Sequence, residues 1–156
     1  NENAHDETRY HDNAATVPAH HAEISEQTVN HFIDYLKQGL SIEQARVKDW
    51  LGQYCSDNKT YEDLLIPQDI SNYKELCSIA SHNQLEQSPY SHFLFSRAEN
   101  TALLFVNGER YEVSQSFAEN ICAEDELDFK QLQSVMNMTD KEVLLNLFNN
   151  GAVIAR

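Results

Sequence analysis

The dipeptide Asn107-Gly108 does more than any other feature to limit what this chain can fold into. Both central residues of a type I′ turn need positive φ, and Asn and Gly reach it at least cost. Two strand-like runs flank it, Ala102-Leu103-Leu104-Phe105-Val106 before and Glu109-Arg110-Tyr111-Glu112-Val113 after. The spacing predicts a two-residue β-hairpin, and the apolar run Phe93-Leu94-Phe95 just upstream predicts a third strand. No other part of the chain reads convincingly as sheet, so the stretch from Phe93 to Val113 is the expected packing surface for everything else.

Upstream, residues 1–24 are polar and acidic and contain Pro18, without a helical period, and read as an arm or linker. The arm carries His5, His11, His20 and His21. The triplets His5-Asp6-Glu7 and His21-Ala22-Glu23 have the form of a partial two-His-one-carboxylate iron site. Such a site needs rigid strands to hold its ligands, so a solvated tail is the expected reading. From Ser25 the pattern changes. Val29, Phe32, Ile33, Leu36 and Leu40 share one face of a helix, with Ser25 as its cap and Gly39 as its stop. Ser41 with Gln44 makes a capping-box pattern for a second helix, whose apolar stripe is Val47, Trp50, Leu51, Tyr54 and Cys55. The two helices carry more aromatic surface than a small helical pair can cover. A homodimer interface built on Phe32, Leu36, Trp50, Leu51 and Tyr54 is therefore expected.

Asn58 to Ile70 reads as a loop with an apolar anchor at Leu64-Leu65-Ile66, and Ser71 to about His82 as a third helix with Tyr73, Leu76, Cys77 and Ala80 inward. Gln84 to Pro89 reads as a polar connection. After the hairpin, Ser114 or Ser116 opens a short helix carrying Phe117, Ile121 and Cys122. Glu124-Asp125-Glu126 is an expected solvated turn, and Asp128 caps a helix with Phe129, Leu132, Val135 and Met136 on one face. Thr139 with Glu142 is the expected capping box of the last helix, which buries Val143, Leu144, Leu147 and Phe148 and stops at Asn150-Gly151. Val153 and Ile154 form a short returning strand. Helix, turn, helix and strand, with the hairpin packed against them, is a winged-helix layout. The expected fold is α+β, mainly α: a helical dimerisation region over 25–88, then a winged-helix-like domain with a β-hairpin over 89–156.

The chemistry is mostly one of exclusion. No Gly-rich phosphate loop, nucleophile elbow, HExxH or DxDxG loop occurs, and Cys55, Cys77 and Cys122 have no metal-site spacing and read as buried free thiols. His82 and His92 stand alone and read as structural or surface residues. From Ser114 to Arg156 the positive residues are Lys130, Lys141 and Arg156, against Glu119, Glu124, Asp125, Glu126, Asp128, Asp140 and Glu142. A DNA-reading helix needs cations on phosphates, so nucleic acid is an unfavoured partner. The 156-residue chain carries a net charge of −14, which favours basic partners. It contains neither a membrane-spanning run nor a signal-peptide pattern, so a cytoplasmic location is expected. It opens on Asn1-Glu2-Asn3, which fits a fragment with a domain upstream.

Several segments in this order resemble one family. Lys48-Asp49-Trp50-Leu51-Gly52-Gln53-Tyr54, the stretch Phe93 to Val113 with its Asn107-Gly108-Glu109 turn, and Leu144 to Gly151 are similar to the C-terminal part of bacterial cupin-type (JmjC-like) oxygenases. Arg9-Tyr10-His11-Asp12 and the approach from Pro18 to Ile24 resemble the junction that follows the catalytic cupin there. Those enzymes are Fe(II)- and 2-oxoglutarate-dependent ribosomal protein hydroxylases acting on an arginine. The resemblance runs from about Tyr10 to Ala152. It implies a non-catalytic dimerisation and winged-helix region, with no catalytic, cofactor or metal residue carried over. Fe(II) and 2-oxoglutarate would then sit in the upstream cupin, and a basic ribosomal protein would be the substrate of the full-length parent. A winged-helix regulator or a protein-interaction module is the alternative reading.

Overall fold

The structure is a computed structural model that describes residues 22–37, 44–57 and 64–156. The four histidines of the arm, the helix stop at Gly39 and the capping Ser41 lie outside the described residues. The elements are α1 (Glu26–Lys37), α2 (Gln44–Ser56), α3 (Tyr73–Ala80), β1 (Leu85–Gln87), β2 (Phe93–Arg97), β3 (Ala102–Val106) and β4 (Glu109–Val113). After them come α4 (Gln115–Ile121), β5 (Glu126–Leu127), α5 (Phe129–Val135), α6 (Met138–Asn149) and β6 (Val153–Ala155).

The hairpin forms as its turn requires. Asn107 and Gly108 have φ of 51° and 83°, and β2, β3 and β4 make an antiparallel sheet in that order. Period-2 alternation gives the sheet two faces. Phe93, Phe95, Ala102, Leu104, Val106 and Val113 share one face by register and belong to the main core with Phe117, Ile121, Leu144 and Leu147. Leu94, Leu103, Phe105 and Arg110 share the other. Here α2 lies close: a Cβ built on Gly52 would stand 2.4 Å from the Phe105 ring. Gly52 is thus fixed by contact, since the ring occupies the space a side chain would need. Around it Arg110 Nε lies 3.1 Å from Asp49 Oδ1, and the Gly108 amide donates to Ser56 Oγ at 3.1 Å.

A second sheet, in the order β5-β1-β6, is a correction to the sequence reading. Its strands come from the segments read as a polar connection (Gln84 to Pro89) and a solvated turn (Glu124-Asp125-Glu126). Strands of two and three residues carry too little alternation to register as sheet. What holds them is tertiary: Leu85, Leu127 and Val153 are buried in the main core. The reading of β6 at Val153 and Ile154 agrees with the structure. The arm is corrected too. Residues 22–24 run parallel to β2, with the Ile24 amide donating to Phe95 O at 2.9 Å and the Phe95 amide to Ala22 O at 3.0 Å.

Helix starts follow local polar chemistry, not always at the expected residue. Ser25 accepts from the Thr28 amide at 3.2 Å and Asp128 from the Gln131 amide at 3.0 Å, as expected. Ser114, of the two candidates, caps α4. Asn72 caps α3, which starts at Tyr73 where the helix was expected from Ser71. The box of α6 is Asn137 with Asp140, in place of Thr139 with Glu142. Asp140 wins because its carboxylate has more to satisfy. Fully buried, it accepts from the Ser114 amide (2.9 Å), the Ser114 hydroxyl (2.7 Å) and the Asn137 amide (3.0 Å), tying two helix starts together. At the other end of α6 Gly151 has φ of 80°, and the Asn149 side chain exchanges two hydrogen bonds with the Ile70 backbone at 3.0 Å each. That clamp holds the 64–70 segment by its backbone. The expected apolar anchor is corrected accordingly: Leu64 and Ile66 are exposed and only Leu65 is half-buried.

Replacing Gly52 with Ala should cost about 1–3 kcal/mol, the range for forcing extra volume into a packed contact, read as a lower urea midpoint. Asp140→Ala strips three accepted hydrogen bonds from a buried carboxylate and should cost about 3 kcal/mol in the same titration.

A candidate docking face on the paired helices

The side of α2 that meets the sheet is its small and polar one, Asp49, Gly52 and Ser56. Its aromatic side therefore points elsewhere. Val47 joins Val29 and Ile33 of α1 in a small satellite core, with Ile24 and Phe32 packed against it. Trp50 and Tyr54 remain outside, 52% and 67% exposed, while Leu51, Leu36 and Phe32 are half-buried.

These side chains are ordered against one another. The Phe32 and Trp50 rings stack across the helix pair with centroids 6.1 Å apart and planes 11° from parallel. Trp50 and Tyr54, one turn apart on α2, stack at 5.2 Å and 15°. The result is a three-ring ladder with its last two members largely in water. Such rings bring large contact area and lose little side-chain freedom when covered, which is the chemistry of a protein-docking surface. Tyr35 of α1, 43% exposed, adds to the apolar surface of this pair and was not among the residues expected from sequence. One tyrosine on a helix already assigned an apolar stripe gave no separate signal. The five expected interface residues thus fall on one helix pair: Phe32, Trp50 and Tyr54 form the ladder, and Leu36 and Leu51 lie on the same two helices.

The cysteines depart from the expectation of buried thiols. Cys122 is buried, and burial pushes its thiol up strongly. Cys77 is half-buried, and Cys55 is exposed beside Tyr54 because α2 turns that side outward. Partial desolvation raises the Cys55 thiol.

The sequence as a whole is acidic, with a net charge of −14. A groove of about 590 Å³ between α3, β1, β5 and α5 is lined by Glu124, Glu126 and Asp128, with Lys130 its one cationic wall residue. Lys141 of α6 is engaged within the fold, its Nζ 5.6 Å from the centroid of the Tyr73 ring. Among the described residues no group of three His, Cys, Asp or Glu side chains is placed to hold a metal ion. No described helix is long and apolar enough to cross a membrane.

Comparison with solved structures finds the same fold in a ribosomal oxygenase of Escherichia coli, YcfD. One YcfD structure matches with a TM-score of 0.57 and 16% identity, covering 96% of this chain and 40% of that one. A complex of YcfD with cobalt and succinic acid matches at 0.55 and 15%, covering 96% and 41%. Its complex with cobalt and 2-oxoglutarate matches at 0.53 and 15%, with the same coverage of 96% and 41%. The chain spans about 40% of the length of the first of these proteins. A search of curated protein sequences found no match. A model of the ROXA-like winged helix matches residues 30–153, from the middle of α1 to the start of β6. The chain belongs to the ROXA-like winged-helix family.

Proposed function

We propose that this chain is the non-catalytic C-terminal dimerisation and accessory region of a cupin-type, 2-oxoglutarate-dependent ribosomal protein arginine hydroxylase. The observation that carries the reading is the Phe32–Trp50–Tyr54 ladder, exposed because α2 spends its small side on the sheet. A second copy of the same helix pair is the occupant that such a face suits: a self-complementary patch needs no other partner to close it. The family membership and the likeness to YcfD support the accessory role. Fe(II) and 2-oxoglutarate belong, in this reading, to the upstream cupin. The net charge of −14 supports recognition of a basic ribosomal protein by the parent enzyme, in the cytoplasm. The scarcity of free cations on α4, α5 and α6 argues against nucleic acid as a partner.

In light scattering the chain should behave as a dimer, and Trp50→Ala or Phe32→Ala should raise the dissociation constant about tenfold or more. Labelling of Cys55 should slow as protein concentration rises, while Cys122 should react only on unfolding. A strict monomer at high concentration would remove the dimerisation role. Incubated with Fe(II), 2-oxoglutarate and a ribosomal peptide, the chain alone should give no turnover, and hydroxylated peptide would overturn the accessory reading.

A further inference from the structure

The three residues before the Ser25 cap of α1 make contacts quite unlike those of a linker. Residues 22–24 lie along the outer edge of β2 and run with it, from its Phe93 end towards its Arg97 end. Two backbone hydrogen bonds attach them, both to Phe95. The attachment is reinforced at one point. Arg97 Nε donates to Glu23 Oε1 at 2.7 Å, and its Nη1 donates to Glu119 Oε1, also at 2.7 Å. One guanidinium therefore ties the added strand to β2 and to α4 at once. The Glu23 side chain is only 13% exposed, so its carboxylate is largely out of water and depends on this partner.

We propose that residues 22–24 are a strap, locked by Arg97, that lifts from β2 without unfolding the domain beneath. Three features favour its opening ahead of the core. Among the described residues only two backbone hydrogen bonds join it to β2, and its other attachments are side-chain ones: the Glu23–Arg97 pair, Ala22 in the main core and Ile24 against the α1–α2 cluster. The sheet does not need it, because β2 keeps its five-residue pairing with β3 when the strap is gone. The helix that follows has its own anchors, the Ser25 cap and the Val29, Ile33 and Val47 cluster, so motion can stop at Ser25. Segments with few backbone bonds at a sheet edge open at lower free energy than the sheet itself. Closed, the strap sets Ala22 at the Phe93 end of β2, the end of the sheet that carries Asn107-Gly108. Open, it releases the Phe95 amide and carbonyl from Ala22 and Ile24 and frees Ala22 from that end. The strap is thus a joint with a single ionic lock, and it stands independently of the dimerisation reading.

Amide hydrogen exchange resolved at Ile24 and Phe95 tests it, with the β3 amides as internal reference. Arg97→Ala should speed exchange at both amides on the order of tenfold, the loss expected for a charge-assisted bond. The milder Glu23→Gln, which leaves Arg97 paired to Glu119, should act in the same direction with the fold intact. In both variants the β3 amides should keep their wild-type rates. Unchanged exchange at Ile24 and Phe95 in both variants would overturn the lock. Acceleration by the same factor in β3 would overturn the strap, because opening would then be global unfolding only.

Discussion

The contact between the Phe105 ring and the backbone of α2 at Gly52 is the constraint on which the arrangement depends. It makes β3 a strand buried on both faces, between α2 on one side and the core built from α4 and α6 on the other. A strand in that position has no polar side, and the run Ala102-Leu103-Leu104-Phe105-Val106 has none. The same contact decides which way α2 faces. A helix that approaches a sheet through glycine and serine turns its large side chains elsewhere, and the aromatic ladder follows from that.

The hairpin was legible because its signal is local: two residues fix the turn, and the flanking alternation fixes the register. The end of α6 was legible for the same reason, from Asn150-Gly151. The second sheet was hidden because Leu85 and Leu127 are single apolar residues among polar neighbours, and only the fold brings them together. The start of α6 was misplaced by two residues because several polar side chains compete there. The winner, Asp140, is chosen by Ser114, far away in sequence. The five residues expected at an interface were legible as an apolar set on two helices. Their exposure was inferred from excess area, whereas the physical cause, the Gly52 approach, cannot be seen without the sheet. Gly52 itself stood in a recognisable segment, but nothing in the sequence said what filled the space beside it.

Polar groups join separate elements of the fold at a few points. Asp140 links the starts of α4 and α6, Asn149 holds the 64–70 segment to the end of α6, and Ser56 holds the hairpin turn to the end of α2. In each case a side chain takes the place of missing backbone partners at a helix end or a turn, so the link satisfies groups that would otherwise be left open. The apolar core gives the fold its driving force, and these links set the angles at which its pieces meet.

The β5-β1-β6 sheet has a consequence for the order in which the chain can fold. The central strand, β1, pairs with β5 on one side and on the other with β6, at the far end of the described chain. During synthesis the hairpin sheet can form as soon as its three neighbouring strands exist. By contrast, β1 must wait for nearly all of the sequence that follows it. Long-range pairing of this kind is slow, because the loop must be closed before any contact rewards it. The second sheet is therefore the late step, the one that seals the molecule around a hairpin already in place.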